Sequence, residues 1–262
     1  MLAQEASMTV ARTCLVLTLL LVACGEIPPP APVAAASPPP VPNKAVLVAG
    51  DGTLPVFDNA VSEVEARLPP GSTLGSVQRL SAAEVGGPQN IQPATLANVL
   101  GAISSIRPGR SQGCFVYATS HGGRDAGLEM QLTDEFLTPQ ALDQALLQGC
   151  GNAPTAVVIS GCYSGVFAKP PMTRPNRIVL TASRPDRTSF GCRTGRTFTV
   201  YDKCLLDAFD AGSSWRQVYA FTKACVDAEE RREHVTPSEP QAWFGAGVAT
   251  LALPVVRIRA GG

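Results

Sequence analysis

The sequence predicts an α/β fold in which a mostly parallel sheet of about six strands carries helices on both faces. Three observations support this. Short, unbroken apolar runs recur along the chain: residues 45–49 (AVLVA), 114–119 (CFVYAT), 155–160 (TAVVIS) and 177–181 (RIVLT). Runs apolar at every position suit strands buried on both faces, whereas half-exposed strands alternate. Segments with helical periodicity lie between them, and β and α units in turn build parallel sheets through crossover helices. At 262 residues, 45% hydrophobic and 16% charged, the chain is long enough to bury such a core unaided.

Taken in order, AVLVA ends at Gly50-Asp51-Gly52, and Val61, Val64 and Leu68 then recur at helical spacing. A second, weaker strand is expected within residues 72–80. Pro93 is expected to open a helix whose Leu96, Val99, Leu100, Ile103 and Ile106 form one apolar stripe. After CFVYAT, Thr138 and Pro139 supply an N-cap and first-turn pair for a helix carrying Leu142, Ala145 and Leu146. TAVVIS and RIVLT follow. One helix is expected after Tyr201, and a longer one near Ser214 sets Trp215, Val218, Thr222 and Cys225 in register. Residues 237–259 predict a sixth strand and a return.

The N-terminus has a different character. Residues 14–22 (CLVLTLLLV) form an uncharged run too short to span a bilayer comfortably. Arg12 precedes it and the small residues Ala23, Cys24 and Gly25 follow, which is the order of a secretory signal. A start at Met8 suits the basic flank better than Met1. The tetrad Leu21-Val22-Ala23-Cys24 resembles the bacterial lipobox, which implies cleavage before Cys24 and a diacylglycerol on its sulfur. An ordinary signal peptide with a chance cysteine is the alternative. The expected organisation is a signal peptide over 1–23, lipidated Cys24 with a Pro/Ala-rich tether over 24–43, and a folded domain over 44–262. Such a protein is exported and held in a bacterial cell envelope by its lipid. The outer membrane is preferred, because Gly25 is not the aspartate of an inner-membrane retention signal.

Lys plus Arg and Asp plus Glu number 21 each, and no long basic run occurs, which argues against a nucleic-acid partner. Cys14 would leave with the signal and Cys24 would carry lipid, so six of the eight cysteines remain. If one is a catalytic thiol, the other five allow two disulfides and a spare, as export permits. Cys114 begins one strand and Cys150 precedes the strand expected beside it, which makes that pair a plausible bridge. A further bridge among Cys192, Cys204 and Cys225 stays open. No CxxC or Cys/His ligand pair suggests zinc, and neither metal nor cofactor is expected.

In open α/β sheets, sites gather at the carboxyl ends of the strands. CFVYAT runs into Ser120-His121-Gly122-Gly123, and TAVVIS runs into Gly161-Cys162-Tyr163-Ser164-Gly165. Side by side, these strands would present an imidazole and a thiol at one edge. A thiol attacks as thiolate, and a nearby imidazole serves as its base and then as acid for the leaving amine. Flanking glycines let a substrate backbone approach and leave amide groups to hold an oxyanion. The chain has two histidines, and His234 lies in the charged stretch EERREH, so His121 is the well-placed one.

Strand-Ser-His-Gly followed by strand-Ser-Gly-Cys-Tyr-Ser-Gly resembles the paired signature of the caspase-fold cysteine peptidases. Thr181-Ala182-Ser183-Arg184-Pro185, continuing to Thr188-Ser189-Phe190-Gly191-Cys192, narrows the resemblance to the legumain family. Pro237-Ser238-Glu239-Pro240-Gln241 also fits its bacterial members. The similarity spans roughly residues 44–245. It implies a caspase-like three-layer sandwich, endopeptidase chemistry at His121 and Cys162 on a protein or peptide substrate, and an oxyanion held by backbone N–H of Gly122 and Cys162. It also implies that Thr188, Ser189 and Asp202 line the site for the residue before the cut.

Departures from the family bear on specificity. Ser160 replaces the acidic residue two before the nucleophile, Ser120 replaces the aspartate before the histidine, and Phe57-Asp58-Asn59 stand where an arginine is expected. A site that keeps Asp202, with Asp58 nearby, and loses its arginine suits a basic residue instead of asparagine. Asp58 has two other readings, as a group orienting His121 or as the cap of a helix beginning near Asn59. Two other functions share the residues: a transamidase in which an amine replaces water on the thioester, and a non-catalytic envelope lipoprotein that binds a partner.

Overall fold

A computed structural model describes residues 41–69, 77–83 and 91–255. The expected signal segment, Cys24 and the tether up to residue 40 lie outside the described residues. Among the described residues there are ten strands, beginning with β1 (Val41–Ala49), which starts three residues inside the stretch read as tether. It leads through α1 (Pro55–Ala66) to β2 (Val77–Ser81) and β3 (Ile91–Pro93), and α2 (Leu96–Ser104) then returns the chain to β4 (Gln112–Thr119).

Three short strands follow: β5 (Gly122–Gly123), β6 (Gly127–Met130) and β7 (Glu135–Leu137). After them come α3 (Pro139–Cys150), β8 (Thr155–Ser160), β9 (Arg177–Thr181), α4 (Val200–Ala211), α5 (Trp215–Arg232) and β10 (Gln241–Phe244). The main sheet has seven strands in the order β10-β9-β8-β4-β1-β2-β3. All its pairings are parallel except that of β10 with β9. Strand order reverses between β1 and β4, where α/β sheets open a crevice at their carboxyl ends.

Side chains on alternate positions face opposite layers. Leu47, Phe115, Tyr117, Val158 and Leu180 pack with α1, α4 and α5. Val46, Val48, Val116, Val157 and Ile159 pack with α2 and α3 on the other face. Burial on both sides is why the strands read as unbroken apolar runs, each large side chain contributing about 1.5–3 kcal/mol. Two bridges clip the layers: Cys114–Cys150 ties β4 to the end of α3, and Cys204–Cys225 ties α4 to α5. The first is the expected pair, and the second resolves the open choice by leaving Cys192 free.

Some expectations change. Pro93 ends β3 instead of opening α2, whose N-cap is Thr95, its hydroxyl accepting from the Asn98 N–H at 3.2 Å. Thr138 caps α3 as expected, accepting from the Ala141 N–H at 3.1 Å, with Pro139 in the first turn. The β5–β6–β7 sheet carries no alternating pattern, because its strands are two to four residues long. Among the described residues no helix is long and apolar enough to cross a membrane.

Candidate active site

β4 and β8 are neighbours, and their last rung pairs Thr119 with Ser160. His121 and Cys162 each stand two residues beyond that rung, so parallel register alone delivers them to one edge. The ladder continues through the Ser120 N–H, which donates to the Ser160 carbonyl at 3.1 Å. Gly122 then lies directly against Cys162: a Cβ there would sit 2.0 Å from the Cys162 carbonyl oxygen. Gly161 is confined less tightly: a Cβ there would sit 2.6 Å from a Leu128 methyl and 2.9 Å from the Ser120 carbonyl oxygen. The glycines beside both residues are therefore required by close backbone approach.

The turn after Cys162 is held from β9. Ser183 Oγ donates to the Gly161 carbonyl at 3.1 Å and accepts from the Ser164 N–H at 3.1 Å, while the Ser183 N–H donates to Ser164 Oγ at 3.2 Å. Tyr163 adopts a left-handed conformation (φ 57°), and its N–H donates to the Arg187 carbonyl at 2.8 Å. Arg124 stacks over the Tyr163 ring with its guanidinium carbon 5.1 Å from the centroid. Sequence reasoning missed this serine pair, because only the folded β8–β9 neighbourhood brings Ser164 and Ser183 together.

Cys162 and His121 are both half-buried. Burial pushes the Cys162 thiol up, with backbone hydrogen bonding from Ser189 opposing that shift; Sγ itself lies 3.6 Å from the Ser189 carbonyl oxygen. The imidazole is raised above its ordinary value chiefly by the thiol of Cys192, against the lowering effect of burial, with Asp51 and Glu129 adding smaller contributions. Cys162 is not among the groups that shift it. The thiol that raises the imidazole is therefore a different one from the expected nucleophile. Phe57, on α1, supports the ring edge-on with centroids 5.3 Å apart, and the Glu129 N–H fixes the His121 carbonyl at 2.9 Å.

The expected specificity residues fall into two groups. Ser189 touches Cys162 through its carbonyl, and Thr188 beside it is exposed. Asp202 is fully buried at the start of α4, accepting from the hydroxyls of Tyr117 (2.7 Å), Thr119 (2.9 Å) and Thr199 (2.8 Å). Ser160 is buried beside this carboxylate, but its hydroxyl lies outside hydrogen-bonding geometry. Burial raises the Asp202 carboxyl, and the surrounding hydroxyls counteract it.

Asp58 does not cap a helix. α1 starts at Pro55, and the Asp58 carboxylate faces Arg79 of β2 at 3.4 Å. Nor is Asp58 among the groups that shift His121. His234 follows α5 and is exposed, as expected of the charged stretch. Among the described residues no group of three or more His, Cys, Asp or Glu side chains is placed to hold a metal ion.

Residues 90–246, more than half the chain, match the Peptidase C13 family. The chain belongs to the Peptidase C13 family. The matched stretch runs from β3 past β10 and so contains His121, Cys162 and Asp202, while Asp58 lies outside it. Among solved structures, caspase-1 from Spodoptera frugiperda superposes with a TM-score of 0.50 at 14% identity, covering 85% of this chain and 96% of that one. At that identity the likeness speaks for the fold, which is caspase-like. No curated protein matches significantly. A Peptidase C13 chain on a caspase-like sheet is a cysteine peptidase, and its substrates are proteins or peptides.

Proposed function

We propose that this Peptidase C13 member is an endopeptidase that cuts peptide bonds with Cys162 as nucleophile and His121 as base. The observation that carries this reading is the backbone contact between Gly122 and Cys162, which places the two strand ends against each other. The imidazole takes the Cys162 proton, and the thiolate adds to the scissile carbonyl. Backbone N–H groups of Gly122 and Cys162 hold the developing oxyanion, each such donor being worth about 2.7–4 kcal/mol. Collapse forms a thioester and transfers the proton from the imidazolium to the leaving amine. Water, deprotonated by His121, then releases the acid and restores the thiol.

Thr188 and Ser189 lie where the residue before the cut would bind, with Asp202 and Ser160 behind it. Asp202 has no cationic partner among the described residues, and its negative potential favours Arg or Lys over Asp at that position. The enclosure of Asp202 means that it acts through its field, not as an open wall of the site. Asp58, paired with Arg79, takes no part. Export and lipidation at Cys24 would set the enzyme on a bacterial envelope, on the outer membrane, for peptide substrates met there.

The decisive experiment is intact-mass labelling of the purified chain with a peptidyl acyloxymethyl ketone, beside Cys162→Ala and His121→Ala. One adduct on the wild type, absent from Cys162→Ala and slowed in His121→Ala, is expected. An adduct that persists in Cys162→Ala would move the nucleophile elsewhere, with Cys192 the first candidate. Incorporation of an alkyne fatty acid during expression, lost in Cys24→Ala, tests the anchor.

A further inference from the structure

A second thiol stands in this site with no part in the cycle just described. Cys192 is half-buried and unbridged. It lies in the segment 182–199 between β9 and α4, which contains neither helix nor strand. Three residues earlier in that segment, the Ser189 carbonyl meets Cys162 Sγ at 3.6 Å. Gly191, at φ 102°, lets the chain turn in tightly enough that a Cβ there would lie 2.8 Å from the Val200 nitrogen. The turn presses Cys192 onto the core edge, where its thiol is the main influence raising the His121 imidazole. Two free, half-buried thiols thus belong to the same strand edge as His121, one two residues past the last rung of β8 and the other three residues past the Ser189 carbonyl that meets Cys162 Sγ.

The rest of the chain supplies the chemical setting. Cys114–Cys150 and Cys204–Cys225 are closed, so the protein matures where thiols are oxidised. Among the described residues Cys162 and Cys192 are the two cysteines left open, and they share a site. A structural use would have bridged them to the core, and a purely apolar use would not set Cys192 against an imidazole.

We propose that Cys192 is the redox partner of Cys162, closing a reversible disulfide with it that switches the peptidase off. The inference rests on the reading of Cys162 as nucleophile. The oxidant is a low-molecular-weight disulfide of the glutathione class. The Cys162 thiolate attacks one sulfur of that disulfide, forming a mixed disulfide and expelling a thiolate that takes up the Cys162 proton. His121 removes the Cys192 proton, and the Cys192 thiolate attacks Cys162 Sγ. A second small thiolate leaves and is protonated by the imidazolium. Two protein thiols lose two electrons, and one small disulfide becomes two thiols. The second step is intramolecular, so it outruns the accumulation of the mixed disulfide. Bridge formation needs the two Cα atoms about 4.4–6.8 Å apart, and no strand or helix pairing of segment 182–199 opposes a small closing shift.

The test titrates the full chain with oxidised glutathione and reads two quantities after acid quench and alkylation: the Cys162–Cys192 linked peptide, and labelling by the acyloxymethyl ketone. The linked peptide should rise while labelling falls at least tenfold, and reduced glutathione should restore labelling. Cys192→Ser, measured against its own untreated rate, should instead accumulate one glutathione on Cys162. A wild type that labels when reduced but gains glutathione on Cys162 without any linked peptide overturns the bridge alone. A reduced wild type that never labels overturns the peptidase reading and the switch with it. A linked peptide with undiminished labelling overturns both.

Discussion

Gly122 and Cys162 meet backbone to backbone, with no space between them for even a methyl group: a Cβ on Gly122 would lie 2.0 Å from the Cys162 carbonyl oxygen. Both segments here are backbone, so neither can move aside as a flexible side chain would. Gly122→Ala should therefore separate the strand ends, costing about 1–3 kcal/mol of stability and about a hundredfold in probe labelling. The same substitution at Gly101, in the exposed middle of α2 with nothing near its Cβ position, should raise stability by about 0.4–1 kcal/mol. Thermal melts of the two variants, read beside labelling rates, check the contrast. Equal behaviour of the two would remove the close approach as the reason for the glycine.

The influence of Cys192 on His121 has a direct spectroscopic consequence. Cys192 raises the imidazole above its ordinary value, and burial only partly offsets this. Removing the thiol in Cys192→Ala leaves the burial effect and takes away the main raising effect, so the His121 pKa should fall. With two histidines in the chain, the imidazole signals are easily separated by NMR, and exposed His234 should not move. The acid limb of kcat/KM should shift to lower pH in the same variant, because the free base appears earlier. An unchanged His121 titration would mean that the imidazole takes its proton affinity from elsewhere.

Much of this arrangement was legible in the sequence, and the reasons are physical. AVLVA, CFVYAT, TAVVIS and RIVLT had to be buried strands because each position meets a helix layer on one face or the other. The strand ends carry their chemistry within two residues of the last rung, so His121 and Cys162 could be placed from chain order and register. What stayed hidden depends on distant segments meeting. Phe57 under His121, Ser183 under Gly161 and Cys192 beside His121 are contacts across about 20 to 70 residues, and no local pattern marks them. Pro93 misled because proline suits a strand's last position as well as a helix's first. Asp58 misled for a similar reason, since an acidic first-turn residue resembles a cap until the helix is seen to begin at Pro55.

A buried ion cluster anchors the start of β9, the strand that supports the Cys162 turn. Asp143 of α3 accepts from Arg174 Nε and Nη2 at 2.8 and 2.7 Å and from Arg177 Nη1 at 2.6 Å. Burial alone would raise this carboxyl; the two guanidiniums outweigh it and hold it below its ordinary value. Arg177 is 1% exposed, so Asp143→Ala would strand a buried cation and should cost about 3–5 kcal/mol. Because the folded pKa is depressed, the cluster's contribution is complete above the ordinary carboxylate range and is lost as pH falls through the folded value. Wild type should therefore lose stability in strong acid more steeply than Asp143→Ala. Urea unfolding from pH 7 down to pH 2 measures this: parallel curves would remove the pH linkage, and coincident curves would show that the cluster contributes nothing.

Asp202 offers a specificity test that does not depend on the rate of the dyad. Three hydroxyls, from Tyr117, Thr119 and Thr199, enclose its carboxylate, and it has no cationic partner among the described residues. Burial raises its pKa, so it becomes fully charged only above the ordinary carboxylate range. If its field selects a basic residue before the cut, the ratio of kcat/KM for Arg over Asn peptides should climb as pH rises through that raised pKa. His121 and Cys162 act on both substrates alike, so their titrations cancel in the ratio. Asp202→Asn keeps the shape, removes the charge and should flatten the ratio across pH while lowering it about tenfold at neutral pH. At least one of the hydroxyls would then face an amide NH2 instead of an acceptor oxygen, and some stability should be lost as well. A ratio below one in wild type, or one unchanged by Asp202→Asn, would place the source of selectivity in Thr188 and Ser189 instead.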